Sequence, residues 1–224
     1  MKGMKDMTNI KAVIFDMDGV LIDTERVSFK AYEKILKEYN YEISNEFYLT
    51  LLGRNIQSTK IRFIEKYGED FPFDEIYKKK SKLATYTIDK KGVVMKEGVH
   101  ELIDYLKENK YKIAVATSTR KERAHKLLTD INIIDKVDYI ICGDQVENSK
   151  PNPEIFLKAA IGLKVDPKEC IVVEDSEAGI IAADAANMKG INVPDMKKPD
   201  EYMKKLAFKI CKNLIEVREC FINL

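Results

Sequence analysis

The chain has 224 residues, 45% of them hydrophobic, with 38 lysines and arginines against 37 acidic residues and a net charge of +1. That length accommodates one large or two modest domains around a core that needs no disulfide staples. So even a charge balance gives no electrostatic bias toward nucleic acid or a membrane surface, which sets a polyanion-binding role at a disadvantage.

The first segment, MKGMKDMTN, is polar, and no apolar stretch behind it is long enough for a signal or a membrane span; a cytoplasmic protein is expected. AVIF (12–15) is the first run that reads as a fully buried strand. Close to a hundred residues separate it from the next such run, KIAVAT (112–117), whereas a crossover takes only about a dozen or a few dozen. The interval is helical by pattern. Phe29, Tyr32, Ile35, Leu36 and Tyr39 form one apolar face, Ile61, Ile64 and Tyr67 a second, and Ile76, Tyr77, Lys80, Leu83 and Ala84 a third. A small helical domain inserted at residues 24–92 is the simplest account, with the enclosing domain formed by 1–23 and 93–224. Val99, Leu102, Ile103 and Leu106 give the next helical period, and Ile155, Phe156, Ala159 and Ala160 another. Strands are expected at DYIIC (138–142) and CIVV (170–173), with weaker ones at INV (191–193) and FKI (208–210). Strands alternating with helices predict an α/β fold whose core is a Rossmann-like, doubly wound parallel sheet covered on both faces.

The four cysteines, Cys142, Cys170, Cys211 and Cys220, form no CxxC pair and read as buried thiols of a reducing cytosol, with metal ligation or disulfides the lesser alternative. His100 and His125 both fall in helical periods and read as helix surface or packing, so any acid–base chemistry falls to carboxylates. In such a sheet, ligands bind beyond the carboxyl ends of the strands. There the chain carries Asp16-Met17-Asp18-Gly19, then Thr117-Ser118-Thr119, then Lys150 before PNPE, then Glu174-Asp175-Ser176. Helix capping accounts for Thr119, Asn152 and Ser176. It does not account for Asp16 beside Asp18. Carboxylates gathered at one sheet edge repel unless a cation lies among them, and oxygen-only ligands suit Mg2+ with room left for a substrate phosphate. Lys150, Thr117, Ser118 and the helix start at Thr119 supply groups to hold that phosphate, which points to phosphoryl transfer.

DMDGVLIDT, VATST, KPNPE and VVEDSEAGI, in this order and at these spacings, resemble the four motifs of the haloacid dehalogenase superfamily across about residues 11–195. The helical insertion after the first motif and the form EDSxAGI are similar to its phosphatase and β-phosphoglucomutase branch. The resemblance implies that the insertion is a cap domain. It implies that Asp16 is a nucleophile forming an aspartyl-phosphate and Asp18 the acid–base. Mg2+ is then held by Asp16, the Asp18 carbonyl and Asp175, with Glu174 in its outer sphere or bound through water. Lys150 neutralises charge, and Thr117 with the Ser118 amide binds the transferring oxygens. Thr24 reads as N-cap of the first inserted helix, and the resemblance makes Asp23 and Thr24 a hinge.

Arg54, in the loop LLGRN, reads equally as a substrate-facing or a solvated arginine, and KKKSK reads first as an exposed helix face, with Lys82 as the candidate substrate contact within it; Ser28 joins them as a candidate of the cap. The β-phosphoglucomutases carry a histidine where this sequence has Ser28, and their cap-loop arginine aligns with Ile56, or with Arg54 as its substitute in the alternative loop alignment. These departures favour a phosphatase acting on small phosphorylated metabolites, sugar phosphates first, over a phosphomutase. A phosphorylatable receiver domain shares the strand-end aspartate, hydroxyl and lysine, but has no use for Asp18 or a helical insertion. No exposed apolar repeat points to an obligate protein partner.

Overall fold

The computed structural model describes Met7 and residues 9–223. The elements run in the order β1 (Ala12–Phe15), α1 (Glu25–Glu38), α2 (Asn45–Leu49), α3 (Ile56–Tyr67), α4 (Phe73–Lys91), α5 (Val99–Glu108), β2 (Lys112–Thr117) and α6 (Lys121–Asp130). They continue with β3 (Tyr139–Cys142), α7 (Glu154–Leu163), β4 (Cys170–Glu174), α8 (Glu177–Ala185), β5 (Lys189–Asn192), α9 (Glu201–Leu206), β6 (Lys209–Ile210) and α10 (Leu214–Ile222). No helix among the described residues is long and apolar enough to cross a membrane. The chain divides into two compact units, Asp23–Val94 and the segments on either side of it.

In the flanking unit the six strands form one parallel sheet in the order β3-β2-β1-β4-β5-β6. Every residue of β1 and β4 is buried, which is why these strands read as continuous apolar runs. Ala12, Ile14, Ala114, Ala116 and Val172 pack on one face against Ile155, Phe156 and Ala159 of α7 and Ala182 and Ala183 of α8. Side chains alternate across a sheet, so Val13, Phe15 and Val115 point to the opposite face. The small residues of α7 and α8 let both helices lie close to the strands.

The chain runs outward from β1 to β2 and β3, then returns to β4 on the other side of β1 and continues to β5 and β6. The strand order therefore reverses between β1 and β4, where ligands bind in this class of sheet. Pairing is in register: Phe15 lies opposite both Val115 and Val173. The next residue on each strand, Asp16, Ala116 and Glu174, thus emerges at one level of one sheet edge.

The inserted unit is helical. Along α1, Tyr32, Ile35 and Leu36 are buried as their spacing predicts. The expected face of α3 is rotated: its buried residues are Thr59 and Phe63, whereas Ile61 is 52% exposed. The reason is an aromatic cluster centred on Phe63, whose ring lies 5.2–5.5 Å from those of Tyr32, Phe47, Phe71 and Phe73. Phe47 comes from α2, which the apolar spacing did not disclose; Ser44 starts that helix by accepting from the Phe47 amide. Thr24 stands at the start of α1 as expected but makes no capping side-chain bond. Asp23 accepts from the Arg26 guanidinium at 2.9 Å instead. Because Phe63 is fully buried at the centre of this cluster, Phe63→Ala is expected to lower the unfolding free energy by about 3–5 kcal/mol, measured by denaturant titration.

Candidate active site

Asp16, the first residue past β1, is 6% exposed, and Glu174, the last of β4, is 1% exposed. Lys150 lies between them. Its ammonium donates to Asp16 Oδ1 at 2.5 Å, to Glu174 Oε1 at 2.9 Å and to the Ala116 carbonyl at 3.2 Å, so all three of its N–H groups are used. Against burial, which lowers it, Asp16 and Glu174 hold the Lys150 ammonium above its ordinary pKa. Burial outweighs Lys150 at Asp16: with Glu174 and Asp18 adding to it, the carboxyl is pushed up to about 8. Lys150 is followed by a cis peptide bond to Pro151.

Glu174 is held at both oxygens, since Oε2 accepts from the Ser176 amide at 2.7 Å. Ser176 also caps α8, accepting from the Gly179 amide at 3.0 Å as its position predicts. A Cβ on Gly179 would lie 1.9 Å from Glu174 Oε1, so glycine leaves the space that the carboxylate occupies. Gly19 serves Asp175 in the same way: its φ is +86°, and a Cβ there would lie 2.4 Å from Asp175 Oδ2.

Asp18 faces different partners. Its Oδ2 accepts from Thr119 Oγ1 at 2.8 Å and from Thr117 Oγ1 at 3.3 Å, while the Thr117 hydroxyl accepts from the Thr119 amide at 3.0 Å. Thr119 is thus not the expected helix cap: α6 begins after Arg120, and the Thr119 hydroxyl holds Asp18. Thr117 is fully buried, whereas Ser118 is exposed. Asn152 accepts from the Glu154 amide at 3.0 Å, one residue ahead of the position assigned to the cap of α7.

Asn192, at the end of β5, was not visible in the sequence. It is 1% exposed, and its amide donates to the main-chain carbonyls of both Glu174 and Asp175 at 3.1 Å, fixing the turn that carries these acids. A buried polar residue closing an apolar strand was its only signal.

Carboxylate oxygens of Asp16, Glu174 and Asp175 lie within 4.8 Å of one another. The donors are all oxygen. The cluster is acidic even with Lys150 bound to it, and its oxygen donors match a hard divalent cation such as Mg2+.

The helical unit, taken by itself, has a pocket of about 180 Å³ lined by residues including Glu25, Ser28, Tyr48, Arg54, Ile56 and Lys80. Lys80 Nζ donates to Ser28 Oγ at 3.0 Å and lies 4.4 Å from the centre of the Tyr32 ring and 5.0 Å from that of Tyr77. Burial draws its pKa down to about 8, against the opposing pull of Glu25. Ser28 and Arg54 therefore line this pocket as candidate cap contacts, although Arg54 Nε donates to the Thr50 carbonyl at 2.6 Å. Lys82 is exposed and is not among its lining residues; Lys80 takes that place.

A strand-end aspartate pair, with a lysine bridging Asp16 to Glu174, on a doubly wound sheet with a helical insertion, fits a hydrolase of the phosphoryl-transfer type. The chain belongs to the haloacid dehalogenase-like hydrolases, whose family model matches residues 13–193. It is 32% identical over 182 residues to the phosphorylated carbohydrates phosphatase of Thermotoga maritima, covering 81% of this chain and 84% of that protein. It is 30% identical to the protein CbbY of Rhodobacter capsulatus, covering 83% and 86% of the two chains. The β-phosphoglucomutase of Clostridium difficile superposes with a TM-score of 0.74 at 28% identity, covering 95% of this chain and 97% of the other.

Gly19→Ala tests the close approach to Asp175. The combined strain and clash are expected to cost about 1–3 kcal/mol in unfolding free energy. Hydrolytic activity of the same variant is expected to fall about tenfold or more, since Asp175 is displaced.

Proposed function

We propose that the chain is a magnesium-dependent phosphatase of small phosphorylated metabolites, with phosphorylated sugars its substrate class. The observation that carries this reading is the arrangement of Asp16, with Lys150 and Glu174 on one side and Asp18 held apart by two threonines. Relatives named for phosphorylated carbohydrates and β-phosphoglucomutase support the substrate class. Asp16, Asp175 and the Asp18 carbonyl would hold the metal, with Glu174 in its outer sphere or bound through water. When bound there, magnesium neutralises charge on the phosphoryl oxygens and on the carboxylate cluster.

A carboxylate oxygen of Asp16 attacks phosphorus, and the ester oxygen leaves with a proton from Asp18. Asp18, now ionised, takes a proton from water; the resulting hydroxide attacks the phosphoryl group, and the bond to Asp16 breaks to release inorganic phosphate. The threonine hydroxyls aim the Asp18 carboxylate, Lys150 balances the charge on Asp16, and Thr117 with the Ser118 amide stabilises the transferring oxygens. Asp23 and Thr24, at the entry to the helical unit, serve as a hinge.

A phosphomutase is the second reading, favoured by the mutase structure and by Lys80 beside Ser28. Ser28 and Ile56 at the positions of the mutase histidine and arginine weigh against it. Membership of a hydrolase family disfavours the receiver-domain reading.

Purified protein assayed on a panel of phosphomonoesters is expected to release phosphate with sugar phosphates preferred, to lose this activity in EDTA and to regain it with Mg2+. Asp16→Asn should reduce turnover on the order of a thousandfold or more. Activity that survives either change rejects the mechanism. Supplying β-glucose 1-phosphate with a trace of the 1,6-bisphosphate separates the two readings: glucose 6-phosphate formed without free phosphate identifies a mutase.

Lys80→Ala is expected to raise KM for sugar phosphates about tenfold while leaving kcat nearly unchanged, the pattern of lost ground-state binding. With p-nitrophenyl phosphate, whose leaving group has no sugar hydroxyls, KM should change little.

A further inference from the structure

Two of the four cysteines meet at the far edge of the sheet. Cys211 directly follows β6, and Cys220 lies in α10; their sulfur atoms are 3.7 Å apart. Both are buried, at 1% and 6% exposure, and both thiols are reduced. Two strands, β4 and β5, separate β6 from β1, so the mechanism makes no use of this pair. Its backbone is well fixed on one side, since the Cys211 amide donates to the Asn192 carbonyl at 2.9 Å. Cys220 sits two residues before the end of α10 and, as a thiol, donates to the Glu216 carbonyl at 3.1 Å.

We propose that Cys211 and Cys220 form a modification site that a small disulfide oxidant of the glutathione class converts to an intramolecular disulfide. The sulfurs need to approach from 3.7 Å to about 2.05 Å, within reach of side-chain rotation at the end of a helix whose last turn frays readily.

The four thiols differ in the way this chemistry requires. Burial, reinforced by neighbouring carboxylates, pushes Cys142 and Cys170 up to about 11 and 12. Cys220 is drawn down to about 6 because the Cys211 S–H and the Lys209 ammonium stabilise its thiolate, against the effect of burial. The thiolate is the attacking species in exchange, so Cys220 attacks first. Its sulfur bonds to one sulfur of the oxidant, the oxidant's S–S bond breaks, and one small thiolate leaves. The Cys211 sulfur then attacks the Cys220 sulfur, breaking the mixed disulfide and releasing the second small thiol. The two protein thiols lose two electrons and two protons, and the oxidant gains both as two thiols. In a reducing poise the same exchange runs backward and restores the pair.

The closed bridge spans residues 212–219 and ties α10 to the edge strand. A loop of this size is expected to raise Tm by about 5–10 °C in a chain of this length.

Full-length protein equilibrated with glutathione at graded oxidised-to-reduced ratios, then acid-quenched and alkylated, tests the proposal. The expected product has lost the mass of two hydrogen atoms, and its linked peptides contain Cys211 and Cys220, with Cys142 and Cys170 alkylated. Its Tm is higher than that of the dithiothreitol-reduced protein. A chain that stays fully reduced, or one bridged through Cys142 or Cys170, overturns the proposal. Cys211→Ser provides an independent reading, because it removes the resolving thiol: a lasting glutathione adduct on Cys220 is expected, and its absence in the soluble, folded variant rejects Cys220 as the attacking thiol. Where that variant fails to fold, the linked-peptide and Tm results on the parent chain decide.

Discussion

The Lys150 ammonium is the interaction on which the site depends. In-register pairing of β1 with β4 puts the carboxylates of Asp16 and Glu174 side by side where little water reaches either. Two such charges are costly to bury, by several kcal/mol per ion, unless they are paired and hydrogen-bonded. Lys150 meets both and takes its third acceptor from Ala116 of β2, so one side chain ties together the ends of three strands. The compensation is incomplete. Asp175 adds a carboxylate, and the Asp16 carboxyl stands well above its ordinary pKa because burial and its acidic neighbours outweigh the lysine. A site fully neutralised by its own residues would have no electrostatic demand for a cation or a phosphoryl group.

Around this lysine, the two aspartates of the first motif are separated by their partners. Asp16 is held in the buried ionic cluster, while Asp18, two residues on, accepts from the hydroxyls of Thr117 and Thr119. The separation suits the roles proposed for them, a nucleophile held against a cation and an acid–base group aimed at a leaving oxygen. Glycines make the crowding possible: Gly19 and Gly179 leave room where a methyl group would fall on Asp175 and Glu174. Backbone tolerance therefore sets this chemistry as much as the acids themselves.

Much of this was legible in the sequence for a simple reason. A parallel strand buried on both faces is an unbroken apolar run, and its polar successor marks the ligand edge, so AVIF and KIAVAT match β1 and β2 at both ends. Where the apolar signal weakens, the boundary shifts: INV identifies β5, but the strand begins two residues earlier at Lys189, whose side chain contributes nothing apolar. The spacing of Ile61, Ile64 and Tyr67 does not mark the buried face of α3, because the surrounding fold buries Thr59 and leaves Ile61 exposed. Beyond a place at the polar end of an apolar run, neither Thr119 nor Asn192 carries a local sign of its role. Each acts on a residue distant in sequence, Asp18 in one case and the Glu174–Asp175 turn in the other, and only the folded sheet brings them together.

The lysines of α4 show how helical phase decides which member of a charge run turns toward a pocket. Lys80 follows Ile76 by four residues and Tyr77 by three, so it shares their face; Lys82, two residues on, is turned by about 200° and is exposed. Composition sees a block of equivalent charges, and geometry selects one. The selected lysine has a hydroxyl and two aromatic faces as its near neighbours, and its lowered pKa reflects lost hydration. An ammonium stripped of water in this way gains more from an incoming anionic or hydroxylated group than a solvated one does, because part of its desolvation is complete before the ligand arrives. Lys150 and Lys80 thus use the same functional group in opposite senses. The first is committed to carboxylates at the strand ends, whereas the second has a hydroxyl and two aromatic rings beside it in the pocket of the helical unit.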